Sequence, residues 1–260
     1  MNITRRDFLK ITSTCTLLLT LPKNLFAKVT KIPVLLYHDI SEEFKDFYTI
    51  TPALFASQME WLYASGYKAT TLREIKEIFD IDHSKSVILT FDDGYASFMD
   101  YVFPLLKEYG FTATINILGK YVGTFVDISG NRPMLSWDEY RYLTKSGVVD
   151  LGCHSYNMHI RRNGRRGVSI FSKKERKEDL LLFQEIFHKE IGNSVDILAW
   201  PYGEYDKDST EIATKAGFNY ILTSDEGCLT KDSNLQEIPR NTINNKFDFD
   251  TFKNYLGEII

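Results

Sequence analysis

Ser86-Val87-Ile88-Leu89-Thr90-Phe91-Asp92-Asp93-Gly94 is an apolar run that stops abruptly at two carboxylates and a glycine. The run reads as a strand. On a regular strand Asp92 and Asp93 point to opposite faces, so both reach one site only if the backbone turns there. Gly94 supplies a residue that takes positive φ at no steric cost.

Outward from this run the chain alternates strand-like and helix-like segments, with no repeat or low-complexity tract. Apolar runs at 34–37, 87–91, 113–118, 148–153, 197–200 and 220–222 read as strands, with one more expected near 237–239. Between them Thr51-Pro52 opens a helix that Gly66 closes, and Thr71 with Glu74 and Ser136 with Glu139 form capping boxes. Another helix is expected over 179–189. Alternation of this kind gives parallel strands with crossover helices, an α/β fold. The 260 residues suit one domain, and six or seven strands suit a barrel.

A second strand-like run ends at His154, and His159 follows five residues later. In a helix that spacing is about 140° of rotation, so the two imidazoles cannot share a helix face. His154 reads as a strand-end group and His159 as one from the following loop. A carboxylate and two imidazoles form a usual ligand set for a catalytic divalent metal, which keeps a position open for water. One aspartate is then left over. Each piece has an ordinary reading too, since Asp-Asp-Gly is a common turn and nearby histidines recur by chance. The chain has five histidines in all, however, and both candidate pairs end strand-like runs, where α/β folds place chemistry.

Thr90-Phe91-Asp92-Asp93-Gly94 resembles the first motif of the polysaccharide deacetylases, the NodB-homology group of carbohydrate esterases, and His154-Ser155 with His159 resembles the second. The five-residue spacing is similar to the subgroup that deacetylates poly-β-1,6-N-acetylglucosamine. Val34 to Ile40, Gly94 to Phe98 with Val102 to Leu106, and Ala199-Trp200-Pro201-Tyr202-Gly203 extend the likeness over about residues 31 to 243. The resemblance implies a distorted (β/α)₇ barrel of the NodB-homology type. It implies a hydrolase that removes N-acetyl groups from a β-linked N-acetylglucosamine polysaccharide, with peptidoglycan or chitin oligomers as the alternative substrates. Asp93, His154 and His159 would hold one divalent ion, zinc first, with iron, cobalt and nickel as the other candidates. Asp92 would be the base, and the Tyr202 backbone N–H would hold the oxyanion.

The chain also departs from the group. Trp200 stands where an arginine usually orients the base, and no histidine follows His188 to serve as general acid. Arg240, after Pro239, is the candidate replacement for the arginine, and Asp225 resembles a fourth motif that would orient Asp92 indirectly. For the acid, His38 follows the first strand and is expected on the same barrel face as Asp92; the alternative is that it only supports a ligand. Trp200, at a strand end, is expected to line the cleft against sugar, whereas Trp61 and Trp137 fall at helical core positions. Some exopolysaccharide deacetylases carry a further glycoside-hydrolase domain, and these residues match only the deacetylase part. From another class, a module that has lost turnover and only holds glycan would keep the fold, but not the need for Asp92 beside a full ligand set.

Residues 1–27 read as an export signal of the twin-arginine type, Thr4-Arg5-Arg6-Asp7-Phe8-Leu9-Lys10 followed by an apolar stretch and Leu25-Phe26-Ala27, with the deacetylase domain over 28–260. That stretch is too short to span a bilayer, and Cys15 lacks a lipoprotein context. A periplasmic or extracytoplasmic location follows, with exopolysaccharide export machinery as a candidate partner. Without residues 1–27 the chain loses Arg5, Arg6, Lys10 and Lys23 against Asp7, and its formal charge moves from −4 to −7. That argues against a nucleic-acid partner. Cys153 and Cys228 are too few for a disulfide framework, and Cys153 reads as core. The arginine-rich segment 161–177 reads as a solvated loop, or as a lid beside His159.

Overall fold

The computed structural model describes residues 30–80, 85–127 and 130–259, so the 1–27 segment lies outside the described residues, as does His83. Seven strands make the ring: β1 (Ile32–Tyr37), β2 (Ser86–Asp93), β3 (Ala113–Ile117), β4 (Val149–Cys153), β5 (Ile197–Ala199), β6 (Tyr220–Leu222) and β7 (Asn241–Thr242). From β1 through β6 each pairs in parallel with the next, and β7 pairs in parallel with β1. Ile238 bridges Leu222 of β6, so the segment from 238 to 242 joins both ends of the curled sheet. The fold is therefore the expected α/β barrel of seven strands. Its distortion sits at this seam, where Pro239 has no N–H to give the ladder and the last strand shrinks to two residues.

Among the described residues seven helices pack around the ring or against its end: α1 (Pro52–Ala64), α2 (Ile75–Asp80), α3 (Phe103–Tyr109), α4 (Trp137–Lys145), α5 (Lys173–Ile191), α6 (Lys207–Lys215) and α7 (Phe249–Ile259). Thr51 caps α1 through a bond from the Leu54 N–H, with Pro52 at its first position. Ser136 and Glu139 cap α4 reciprocally. The Thr71–Glu74 pair opens a short 3₁₀ turn that runs on into α2. Among the described residues no helix is long and apolar enough to cross a membrane.

Segment 161–177 is more ordered than a solvated loop. Arg161–Arg162 pairs antiparallel with Arg165–Arg166 across Asn163-Gly164, both at positive φ. A 3₁₀ turn follows, and α5 starts at Lys173 rather than near 179, because Ser172 and Glu175 form a third capping box.

Alternation along the strands sorts the core into two layers. Val87, Leu89 and Phe91 of β2 pack outward against the helices, with Leu198 and Trp200 in the same cluster. Ile88 packs with Val34, Ile197, Ala199 and Leu222 inside the ring, where Leu72, Ile75 and Ile78 plug one end. Asp92 has the parity of Ile88 and Thr90, so it stands at the mouth of the ring interior. Cys153 packs in the outer layer, as expected, which turns His154 inward.

Candidate active site

The carboxyl ends of the strands open into a cleft of about 950 Å³ lined by His38, Asp92, Asp93, His154, His159 and Tyr202 among others. Asp92 reaches it by strand parity. Asp93 reaches it because the strand breaks: Asp93 has φ 74° and Gly94 φ 89°. The turn therefore needs two positive-φ residues rather than the glycine alone, and Asp is among the side chains that tolerate it. Gly94 is doubly constrained, since a Cβ there would lie 2.1 Å from the Tyr140 hydroxyl.

Asp92 is held from below. Arg240, fully buried, donates from Nη1 to Oδ1 at 2.7 Å and from Nη2 to Oδ2 at 2.8 Å, and its Nε donates to the Thr223 carbonyl at 2.7 Å. Asn116 Nδ2 adds a bond to Oδ1 at 2.7 Å. Burial alone would raise the Asp92 pKa, but the Arg240 charge, the nearby His154 and the Arg240 hydrogen bonds outweigh it and hold the carboxyl well below the usual range. Asn116 needs room on β4, because a Cβ on Gly152 would fall 2.2 Å from its Oδ1.

His154 donates from Nδ1 to the Ala199 carbonyl at 2.8 Å; a carbonyl only accepts, so the proton sits on Nδ1 and Nε2 keeps its lone pair. Burial pushes its pKa down, against the pull of Asp92 and Asp93, so the ring is neutral. The Nε2 atoms of His154 and His159 lie 3.6 and 3.8 Å from Asp93 Oδ1. One ligand atom from each of the three residues lies within 4.8 Å of the others. Asp93 Oδ2 accepts from the Tyr95 hydroxyl at 2.9 Å, while Oδ1 is buried with no hydrogen-bond partner in the protein. A buried, unpaired carboxylate oxygen facing two imidazole nitrogens is costly by itself and is satisfied by a cation.

The second face of the site is aromatic and basic. His159 stacks on Tyr202 at 4.2 Å between ring centres, and the guanidinium groups of Arg161 and Arg166 sit over that tyrosine at 4.9 and 5.7 Å. Tyr202 has φ 60° inside the 3₁₀ turn Pro201–Gly203; Pro201 has no N–H and Gly203 donates to the Trp200 carbonyl at 3.0 Å, which makes the Tyr202 N–H the leading donor of the turn. His38 is half-buried at the cleft, its ring 4.6 Å from that of Tyr48 and its Nδ1 without a protein partner. Burial holds its pKa below 6.5, against the raising effect of Asp93 and Asp92.

Two expected site residues are placed differently. Trp200 forms part of the cleft floor but is wholly buried, because it shares the outward parity of Leu198 and packs into the helix layer. It presents no face to a sugar. The Asp225 carboxylate is exposed and accepts from the Tyr205 hydroxyl at 2.9 Å; its expected indirect link to Asp92 exists but runs through the backbone, where its carbonyl accepts the N–H of Arg240 at 2.8 Å. Asn116, Tyr95 and Asp179 were not anticipated. Nor was Arg132, buried at the cleft rim, which binds Asp39, Asp46 and Thr49 and so ties the loop after β1 to the hairpin Phe125–Asp127/Asn131–Pro133.

Residues 80–221, more than half the chain, match the family model described as polysaccharide deacetylase, and the chain belongs to that family. Several relatives are named poly-β-1,6-N-acetyl-D-glucosamine N-deacetylase. That of Escherichia coli K12 is 26% identical over 86% of this chain and 38% of its own length. That of Staphylococcus epidermidis is 27% identical over 84% of this chain and 74% of its own. Among solved structures, IcaB from Ammonifex degensii superposes with a TM-score of 0.77 at 22% identity, covering 88% of this chain and 96% of that one, which supports the fold. The chain is thus a polysaccharide deacetylase that spans little more than a third of its E. coli relative.

Proposed function

We propose that this chain is a metal-dependent N-deacetylase of poly-β-1,6-N-acetylglucosamine, releasing acetate and leaving a free amine on the polymer. The observation that carries the metal is the orphaned, buried Asp93 Oδ1 turned toward two imidazole Nε2 atoms. The linkage rests on the relatives named for that polymer at 26 and 27% identity and on the five-residue histidine spacing.

Asp93, His154 and His159 would hold one divalent ion, whose chemistry is to acidify water from a pKa of about 16 toward about 7 and to polarise the acetamido carbonyl. Asp92 accepts the proton of the attacking water. Its low pKa keeps it ionised at every working pH, and the Arg240 fork fixes the direction of its free lone pairs. The Tyr202 N–H, at the start of its turn, donates to the oxyanion. His38, across the cleft, protonates the departing amine. Burial lowers its pKa from the usual imidazole value, which makes its cation a better proton donor but the minor form at neutral pH. Arg5-Arg6 and the apolar stretch after them support export from the cytoplasm, with zinc loaded before transport and the exopolysaccharide export machinery nearby.

Acetate release from β-1,6- and β-1,4-linked N-acetylglucosamine oligomers, side by side with zinc, iron, cobalt and nickel, tests this reading. Faster turnover of the β-1,6 series is expected. Equal or better turnover of chito-oligomers or peptidoglycan would overturn the linkage and leave the N-deacetylase standing.

A further inference from the structure

The two histidines must face one carboxylate oxygen, yet the chain between them has no regular structure to hold them there. His154 is set by the barrel, since its N–H donates to the Ile117 carbonyl at 2.8 Å and its ring to Ala199. His159 depends on the four residues between the two histidines. Ser155 turns the chain at φ 69°, its N–H meets Cys153 Sγ at 3.2 Å, and its Oγ accepts the Met158 N–H at 2.9 Å. The two N–H groups between, on Tyr156 and Asn157, both donate to the Asp179 carboxylate, one to each oxygen, at 2.8 Å. On the other side the carbonyls of Ser155 and Tyr156 accept from the N–H groups of Gly119 and Lys120 at 3.1 and 2.9 Å.

Asp179 stands on α5, 23 residues beyond the first of these partners. Among the described residues it joins no ion pair, and burial pushes its pKa up to about 6 despite the two N–H bonds. A desolvated carboxylate without a cation opposes folding, and helix docking alone would be served by an apolar side chain. Both its oxygens are spent on the loop between the histidines. We propose that Asp179 is the positioning residue of that loop, setting its length and curl so that His159 Nε2 comes round to Asp93 Oδ1 beside His154 Nε2. This rests on the reading of Asp93, His154 and His159 as ligands. The carboxylate touches neither substrate nor ligand side chain and acts through the backbone.

Zinc affinity measured by competition with a chromophoric chelator, on the purified full chain, separates the two ideas. In Asp179→Asn one acceptor is replaced by an NH₂ that faces a backbone N–H, and a 10- to 100-fold weaker affinity is expected, as for outer partners of metal ligands. The visible spectrum of the cobalt-loaded variant should shift with it. Leu180→Ala, on the same helix and buried in the core, loses thermal stability but should keep wild-type affinity and spectrum. Where Asp179→Asn does not fold, Asp179→Ser, which is smaller and keeps one acceptor, carries the same expectation. Wild-type affinity in a folded Asp179 variant, or an equal loss in Leu180→Ala, overturns the positioning role. If instead wild type binds no zinc, or Asp93→Ala binds it as tightly, the ligand assignment itself is wrong.

Discussion

Replacing Arg240 with methionine removes the counter-charge of Asp92 while keeping an unbranched apolar stem of similar reach. In the native protein the pair is completely buried, with two short bonds between guanidinium and carboxylate and a third from Nε to the Thr223 carbonyl. The variant leaves Asp92 with Asn116 alone and the Thr223 carbonyl without its donor. Breaking a buried pair by removing one partner costs on the order of 3–5 kcal/mol. For a chain of this size that is a fall in Tm of roughly 6–20 °C. The native Asp92 pKa lies below its unfolded value of 3.8, so the stability the pair supplies is complete above about pH 4 and fades as pH falls through the native pKa. In Arg240→Met burial is no longer offset, the Asp92 pKa rises above 3.8, and protonation relieves the buried charge. The gap between wild type and variant, measured by urea denaturation, should therefore be widest at pH 7.5 and narrow toward pH 4.5. Arg240→Met with Asp92→Asn should recover much of the loss. A gap below about 1 kcal/mol at pH 7.5, or one of equal size at both pH values, would refute the argument.

Gly94→Ala places a methyl 2.1 Å from the Tyr140 hydroxyl at φ 89°, and should cost on the order of 2–5 kcal/mol and displace Asp93; unchanged Tm and zinc content would contradict this. His38→Ala should cut turnover on the order of 10²-fold or more and remove the basic limb of the pH–rate profile with metal content intact. If His38 instead supports a ligand, excess ion should rescue the variant. Normal turnover with an unaltered basic limb would exclude both roles.

Much of the site was legible because its residues end strands. Asp92, Asp93 and His154 each close an apolar run, and Arg240 follows a proline at the last one, so position in the sequence already implied position at the barrel mouth. What escaped depends on partners far along the chain. Arg240 is an exception, expected from the resemblance and found on Asp92, although the two are 148 residues apart and only barrel closure makes them neighbours. Asn116 carried a usable signal, a lone amide inside the apolar run Ala113 to Ile117. Asp179 carried none, since a carboxylate on a charged helix looks solvated until the helix is docked. α5 begins at Lys173, ahead of the expected 179, because the Ser172–Glu175 capping box sits inside a basic stretch whose charge alone reads as solvated loop. Trp200 does line the cleft floor as its strand-end position implied, but the parity of the strand decides which layer a side chain enters and turns its ring away from the opening.

Elemental analysis of purified protein, wild type beside Asp92→Asn and His159→Ala, with acetate release assayed on the same samples, meets the central claim most directly. One divalent ion per chain is predicted in wild type and in Asp92→Asn, with turnover only in wild type, and neither ion nor turnover in His159→Ala. Stoichiometric ion bound at normal affinity in His159→Ala, or full turnover in Asp92→Asn, would contradict the account.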